Sequence, residues 1–95
     1  MTLMVDPALP GADLIETGLK DLQERRESIA SLLVAIGAPR LRQIGFTIPE
    51  SPYLNPEHRL YDLLAEDEPD SAHSRYNALI RRLVSFERAA ECVKK

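Results

Sequence analysis

Apolar residues recur at helical spacing from Gly11 onward: Ile15, Leu19, Leu22, Ile29, Leu33 and Ile36, with Leu14 and Leu32 widening the stripe. Steps of three and four put such residues on one face of an α-helix, and they predict a first helix over residues 12–36. Gly37 supplies a left-handed stop and Pro39 blocks continuation, so the helix is expected to end there. At about 1.5 Å per residue it would approach about 36 Å. That exceeds what a compact fold of 95 residues requires, so part of it is expected to project or to pack on a second chain.

A second long stripe lies near the other end. Ala72, Tyr76, Leu79, Leu83, Phe86, Ala90 and Val93 follow the same rhythm, and Ile80 and Val84 extend the face. They predict a last helix over residues 71–93. Between the two stripes, Pro39, Pro49, Pro52 and Pro56 surround RLRQIGFTI. Prolines lack an amide donor and restrict the preceding residue, which permits one helical turn at 40–44 and then an extended connector, with no sheet. A short helix over residues 56–66 follows, with Asn55 as cap, Pro56 in the first position and Glu57 beside the positive helix start. The expected architecture is therefore all-α: two long amphipathic helices packed as a pair or bundle, a short third helix and a proline-rich joint. Residues 1–10 precede the pattern and read as a flexible segment of a single small domain spanning 1–95.

Composition narrows the class without naming a function. Apolar residues make up 44% of the chain, charged residues 28%, and tryptophan is absent, which fits an ordinary globular chain. Only about 60–65% of the unfolded surface can be buried at this size, so the core is expected to be thin. Leu32–Ala38 is too short an apolar run to cross a membrane, and MTLMVDPALPG lacks the basic start and long apolar stretch of a signal peptide. Together with the lone Cys92, this points to a cytoplasmic protein with no disulfide.

The net charge of −3 is unevenly spread. Residues 56–70 carry −5 and residues 71–95 carry +4, so an acidic block runs directly into a basic one. Arg75 and Arg82 stack seven residues apart on one flank of the last helix, while Arg81 and Arg88 stack on the other with Asn77 and Ser85 nearby. With Lys94 and Lys95 they form a cationic strip able to contact phosphates. The acidic run EDEPD beside it and the lack of interleaved aromatic residues favour a solvated or acid-paired surface.

Asp70, Ser71, His73 and Ser74 are residue types of nucleophilic catalysis, yet they occupy one helical turn and would radiate around its axis. Neither a glycine-rich elbow nor an oxyanion hole accompanies them. Helix capping by Asp70 or Ser71, or by Asp67, accounts for their presence. His58, Asp62 and Glu66 repeat every four residues, with His73 following, but they lie opposite Leu60, Leu63 and Leu64 and read as a polar face, not a metal site. RLRQIGFTIPE has the arginines and turn of a DNA-binding helix joint, although Pro49 and Pro52 forbid an immediate recognition helix. No catalytic group, metal or cofactor is expected.

The sharpest anomaly is the pair Arg25 and Arg26, which interrupts the stripe between Leu22 and Ile29. Glu87 likewise lies among Leu83, Val84 and Ala90. Charges in an apolar seam need partners, and a polar residue there can fix register or partner choice. Arg25 or Arg26 is therefore expected to meet Glu87, within the chain or across a dimer, with Leu22, Ile29 and Leu83 around them. These readings favour a non-catalytic helical protein–protein interaction module that self-associates as a homodimer or binds another protein. The second reading is a nucleic-acid-binding accessory protein using Arg75, Arg81, Arg82 and Arg88.

Overall fold

The computed structural model describes residues 8–50 and 53–94. Its elements are α1 (Ala12–Gln23), α2 (Ile29–Ile44), α3 (Pro56–Asp67), a single 3₁₀ turn (Pro69–Ser71) and α4 (Ala72–Lys94). The class is all-α, with no strand among the described residues. α2 is the central helix, and α1, α3 and α4 all pack against it. Its Leu32, Leu33, Val34 and Leu41 are fully enclosed, joined by Ile15 of α1, Leu60 and Leu64 of α3, and Phe86 of α4.

The expected first helix over 12–36 is in fact two helices. The chain reverses at residues 24–28 through a cap that normally calls for glycine. The Arg25 amide donates to the Leu22 carbonyl at 3.1 Å and the Arg26 amide to the Asp21 carbonyl at 2.7 Å, the paired bonds of a Schellman motif. Arg25 holds the left-handed position at φ 57°, a conformation that costs a side-chain-bearing residue about 1–2 kcal/mol. Two residues later α2 begins with a capping box, in which the Ser28 hydroxyl accepts from the Ser31 amide and the Ser31 hydroxyl accepts from the Ser28 amide. The Ser28 hydroxyl also donates to Asp21 at 2.7 Å, which ties the new helix start to the old helix end.

The end of that helix is also displaced. Gly37 does not stop it and Pro39 does not block it, since α2 continues through both to Ile44 and absorbs the turn expected at 40–44. Burial explains the difference. Ala38, Leu41 and Ile44 are all buried beyond the glycine, and two such aliphatic side chains contribute about 3–6 kcal/mol. This outweighs the ~3 kcal/mol cost of an internal proline. The left-handed stop is instead Gly45, with φ 120°, where the Phe46 amide closes back on the Leu41 carbonyl at 3.0 Å. Gly37 serves close packing: a β-carbon there would lie 2.8 Å from Leu83 Cδ1 and 3.0 Å from Glu87 Oε2.

The connector after Gly45 folds onto the body. Phe46 meets Phe86 with ring centroids 5.6 Å apart, and Ile48 is buried. α3 begins as expected, with Pro56 in the first turn and Asn55 Oδ1 accepting from the His58 amide. α4 begins differently. Glu68 occupies the cap of the 3₁₀ turn without a side-chain bond, and the Ser71 hydroxyl donates to the Glu68 carbonyl at 3.4 Å instead of accepting an amide. Neither Asp70 nor Ser71 therefore caps α4, and Asp67 is engaged by Arg75. Of the segment 1–10, residues 1–7 lie outside the described residues, and Leu9 packs against the core.

The reversal at 24–28 changes what is covered. Ile15, Leu19 and Leu22 of α1 are buried against α2 in the same chain, so the stripe that a single long helix would leave bare is enclosed. Gly18 makes this possible, because a β-carbon at that position would overlap the Ala30 carbonyl and Val34 Cγ2. The principal extents of 40 × 24 × 19 Å belong to the folded-back bundle.

Candidate interaction surface

The expected charged seam does not form within the chain. Arg25 and Arg26 are exposed on the α1–α2 turn, and Arg26 pairs with Glu24 at 3.0 Å. Glu87 lies in the α2–α4 seam, 9% exposed, with Gly37 and Leu83 beside it. The anomaly has a local explanation: Arg25 and Arg26 interrupt the apolar stripe because the helix ends there. Leu22 and Leu83, each 3% exposed, belong to the core. Ile29, another of the expected specificity residues, is half-buried and lines a surface cavity.

Glu87 is electrostatically unusual. Burial pushes its carboxyl above the ordinary range, and the Arg40 guanidinium opposes that shift. Arg40 itself pairs with Glu91 one turn further along α4, at 3.1 Å. Removing a carboxylate from water disfavours its charged form, and here one exposed arginine faces two acids. Ionised Glu87 is therefore an unfavourable occupant of the seam.

The arginines of α4 divide into two sets. Arg75 pairs with Asp67 at 2.8 Å and Arg82 with Asp13 at 3.4 Å. Arg81 and Arg88 are exposed and make no ion pair among the described residues. The strip expected along the whole helix is thus partly acid-paired. The side chains of Lys94 and Lys95 lie outside the described residues.

Between the two paired arginines lies an open cavity of about 280 Å³, lined by Ile29, Arg75, Ala78, Leu79 and Arg82. Its position follows from the fold. Ile29 is the first residue of α2, placed at the surface by the reversal that precedes it. Leu79 of the α4 stripe is half-buried there, and Ala78 beside it is exposed. The cavity lining is mostly apolar, and Arg75 and Arg82 complete it, seven residues apart on α4 and so about 10 Å apart along the helix axis. Its volume falls at the lower edge of the ~300–1,000 Å³ typical of small-molecule sites, and it is open, so it suits one or two inserted side chains.

Sequence reasoning puts Arg75 and Arg82 together on a flank that is solvated or acid-paired, with phosphate contact as the alternative, and puts Leu79 on the stripe facing the first helix; in the structure both arginines are acid-paired. The missing signal was the helix break: without it, Ile29 falls mid-helix and no groove end exists. Another feature it missed is the Glu27–Arg59 pair, a two-pronged contact of 2.9 and 2.8 Å that ties the residue before Ser28 to α3. The Arg59 hydrogen bonds hold Glu27 below the ordinary carboxylate range.

The remaining candidates separate. His73 Nε2 lies 3.2 Å from Asn77 Nδ2, and its ring stands edge-on to Tyr61; neither Ser71 nor Asp70 approaches it to complete a proton relay. His58 pairs with Asp62 at 3.5 Å, and no group of three or more His, Cys, Asp or Glu among the described residues is placed to hold a metal ion. Cys92 is exposed and free. No described helix is long and apolar enough to cross a membrane. Comparison of the chain with protein-family models, curated proteins and solved structures gave no match.

Proposed function

We propose that this chain is a non-catalytic helical module that docks another protein through the groove between the start of α2 and α4. The observation that carries the reading is the groove itself: Ile29, Ala78 and Leu79 line it together with Arg75 and Arg82. Interaction sites combine buried apolar anchors with a polar rim, and arginine is enriched in them. A homodimer built on uncovered stripes is the weaker form of this reading, because α1 and α2 cover those stripes on each other.

Nucleic-acid binding remains the second reading, favoured by Arg81 and Arg88, which are exposed and lack ion pairs among the described residues. It is weaker because the other two arginines already hold carboxylates.

Photocrosslinking distinguishes them. A photoreactive residue at Ala78 is expected to capture one protein in extract from the source cells, while the same residue at exposed Glu16 of α1 captures none. The captured protein, identified and purified, must then bind the unmodified chain. Equal capture from both positions, or none from Ala78, overturns the docking reading. Salt-sensitive binding of duplex or single-stranded nucleic acid, lost on reversing Arg81 and Arg88, would put the second reading in its place.

A further inference from the structure

We infer that the seam between α3 and the start of α4, a surface separate from the groove, binds a basic segment of a partner protein, with arginine or lysine side chains lying on the rings of Tyr61 and Tyr76 beside the carboxylate of Glu57. Leu54, Tyr61 and Val84 are the large apolar side chains exposed among the described residues. Two of them, Leu54 and Tyr61, belong to the approach to α3 and to α3 itself. The Tyr61 ring meets Tyr76 of α4 with centroids 5.8 Å apart and 56° between planes, and meets the His73 imidazole at 6.5 Å and 61°. Three rings therefore form one patch across the seam. Because their planes are inclined, they do not stack face to face and close one another off, and Tyr61 and His73 are both exposed.

Charge selects the occupant. Glu57 lies one turn before Tyr61 on α3, is exposed, and makes no ion pair among the described residues. Its charge reaches the patch: burial raises the Tyr76 hydroxyl above the ordinary tyrosine range, and the Glu57 carboxylate pushes it the same way. Glu68 and Asp70, at the corner where α3 gives way to α4, are likewise exposed and without an ion pair among the described residues. The arginines of this region are committed elsewhere, Arg59 to Glu27 and Glu66 and Arg75 to Asp67. These three carboxylates are thus left unneutralised, in contrast to the paired guanidiniums of the groove. A cation over a tyrosine face is attracted by the ring quadrupole, and a carboxylate beside the ring adds a charge-assisted hydrogen bond. Arginine suits the site best, since its planar guanidinium stacks on a ring while its edge donates to an acid. The same carboxylates repel a nucleic-acid backbone.

The test uses a fluorescent glycine–serine peptide carrying three arginines, and an analogue with citrulline, which keeps the shape and removes the charge. Anisotropy titration of the intact chain at low salt should show the arginine peptide binding at least about fivefold tighter, with the difference shrinking as salt is added. Tyr61→Leu keeps an apolar side chain in the seam but removes the ring, and should weaken the arginine peptide about threefold; circular dichroism confirms that the variant is folded. Glu57→Gln, at an exposed position, should weaken it by a similar factor and keeps the inference open to refutation even if Tyr61→Leu does not fold. Glu16→Gln removes the same charge from the exposed side of α1 and should leave binding unchanged, which separates this surface from a general attraction to an acidic protein. Equal binding of the two peptides, or no binding of either, overturns the inference. So does a loss at Glu16→Gln as large as that at Glu57→Gln, or full binding by folded Tyr61→Leu. A doubling of mass in light scattering that Glu57→Gln abolishes would give the surface to a second copy of the chain and likewise overturn it. None of these outcomes bears on capture through Ala78, so the groove and the seam stand or fall separately.

Discussion

Ser28 and Ser31 exchange hydrogen bonds across the first turn of α2: the Ser31 amide donates to Ser28 Oγ at 3.0 Å, and the Ser28 amide donates to Ser31 Oγ at 2.8 Å. This reciprocal cap starts the central helix at residue 29, and so places Ile29 at the groove. Replacing the cap serine by alanine removes an acceptor for the Ser31 amide and the bond to Asp21. Ser28→Ala is expected to lower stability by about 1–2 kcal/mol, read from the urea unfolding midpoint. An unchanged midpoint would show that the reversal is held by something else.

Arg25 offers the opposite test. Its backbone is left-handed and its side chain is exposed, so glycine relieves strain without removing packing. Arg25→Gly is expected to stabilise the chain by roughly 0.5–1 kcal/mol after the entropy cost of glycine is subtracted. Arg25→Val, with a branched side chain in the same conformation, should destabilise it. A loss of stability on introducing glycine would contradict the left-handed cap.

The two buried glycines should respond differently to alanine. At Gly18 the added carbon would meet the Ala30 carbonyl, a backbone atom that cannot move aside, so α1 and α2 must separate; about 2 kcal/mol or more is expected to be lost. At Gly37 it would meet the ends of the Leu83 and Glu87 side chains, which can shift, and alanine is worth up to ~1 kcal/mol more than glycine within a helix. Gly37→Ala should therefore change stability by no more than about 1 kcal/mol in either direction. Equal losses at the two sites would refute this account of the α1–α2 crossing.

Glu87 and Glu27 give stability opposite dependence on pH. Burial raises the Glu87 carboxyl in the folded chain, with Arg40 opposing. Its contribution is fully present below the unfolded value of about 4.5 and is lost as pH rises through the folded value. Glu27 is lowered by its Arg59 hydrogen bonds, so its contribution is present above about 4.5 and lost as pH falls through the folded value. Glu87→Gln should flatten the decline above pH 4.5 and leave the chain more stable than the parent at pH 7. Glu27→Gln should remove that contribution above about pH 4.5 and flatten the loss on the acid side. A less stable Glu87→Gln variant at pH 7 would show that the carboxylate has a partner strong enough to favour its charge.

Much of this fold is legible in the sequence, and the parts that are not have physical causes. The α3 and α4 boundaries follow from Asn55, Pro56 and the stripe from Ala72 to Ala90, where local preference and burial agree. The break after Gln23 escaped because arginine occupies a position that usually signals itself with glycine, and because the apolar rhythm resumes in phase at Ile29. The run through Pro39 escaped for the opposite reason: local breakers are present, but the burial of Leu41 and Ile44 overrides them. The groove was hidden by the same omission, since Arg75 and Arg82 were visible as a pair while Ile29 was assigned to mid-helix.

The most direct test of the docking surface is residue-resolved amide chemical shifts of the labelled chain during titration with the purified protein captured through Ala78. Saturable shifts centred on Ile29, Arg75, Ala78, Leu79 and Arg82 are expected, with the amides of Glu16 and Thr17 on the exposed side of α1 unmoved. Shifts centred instead on Arg81, Ser85 and Arg88, or no shifts at partner concentrations that saturate binding, would contradict the assignment of the groove.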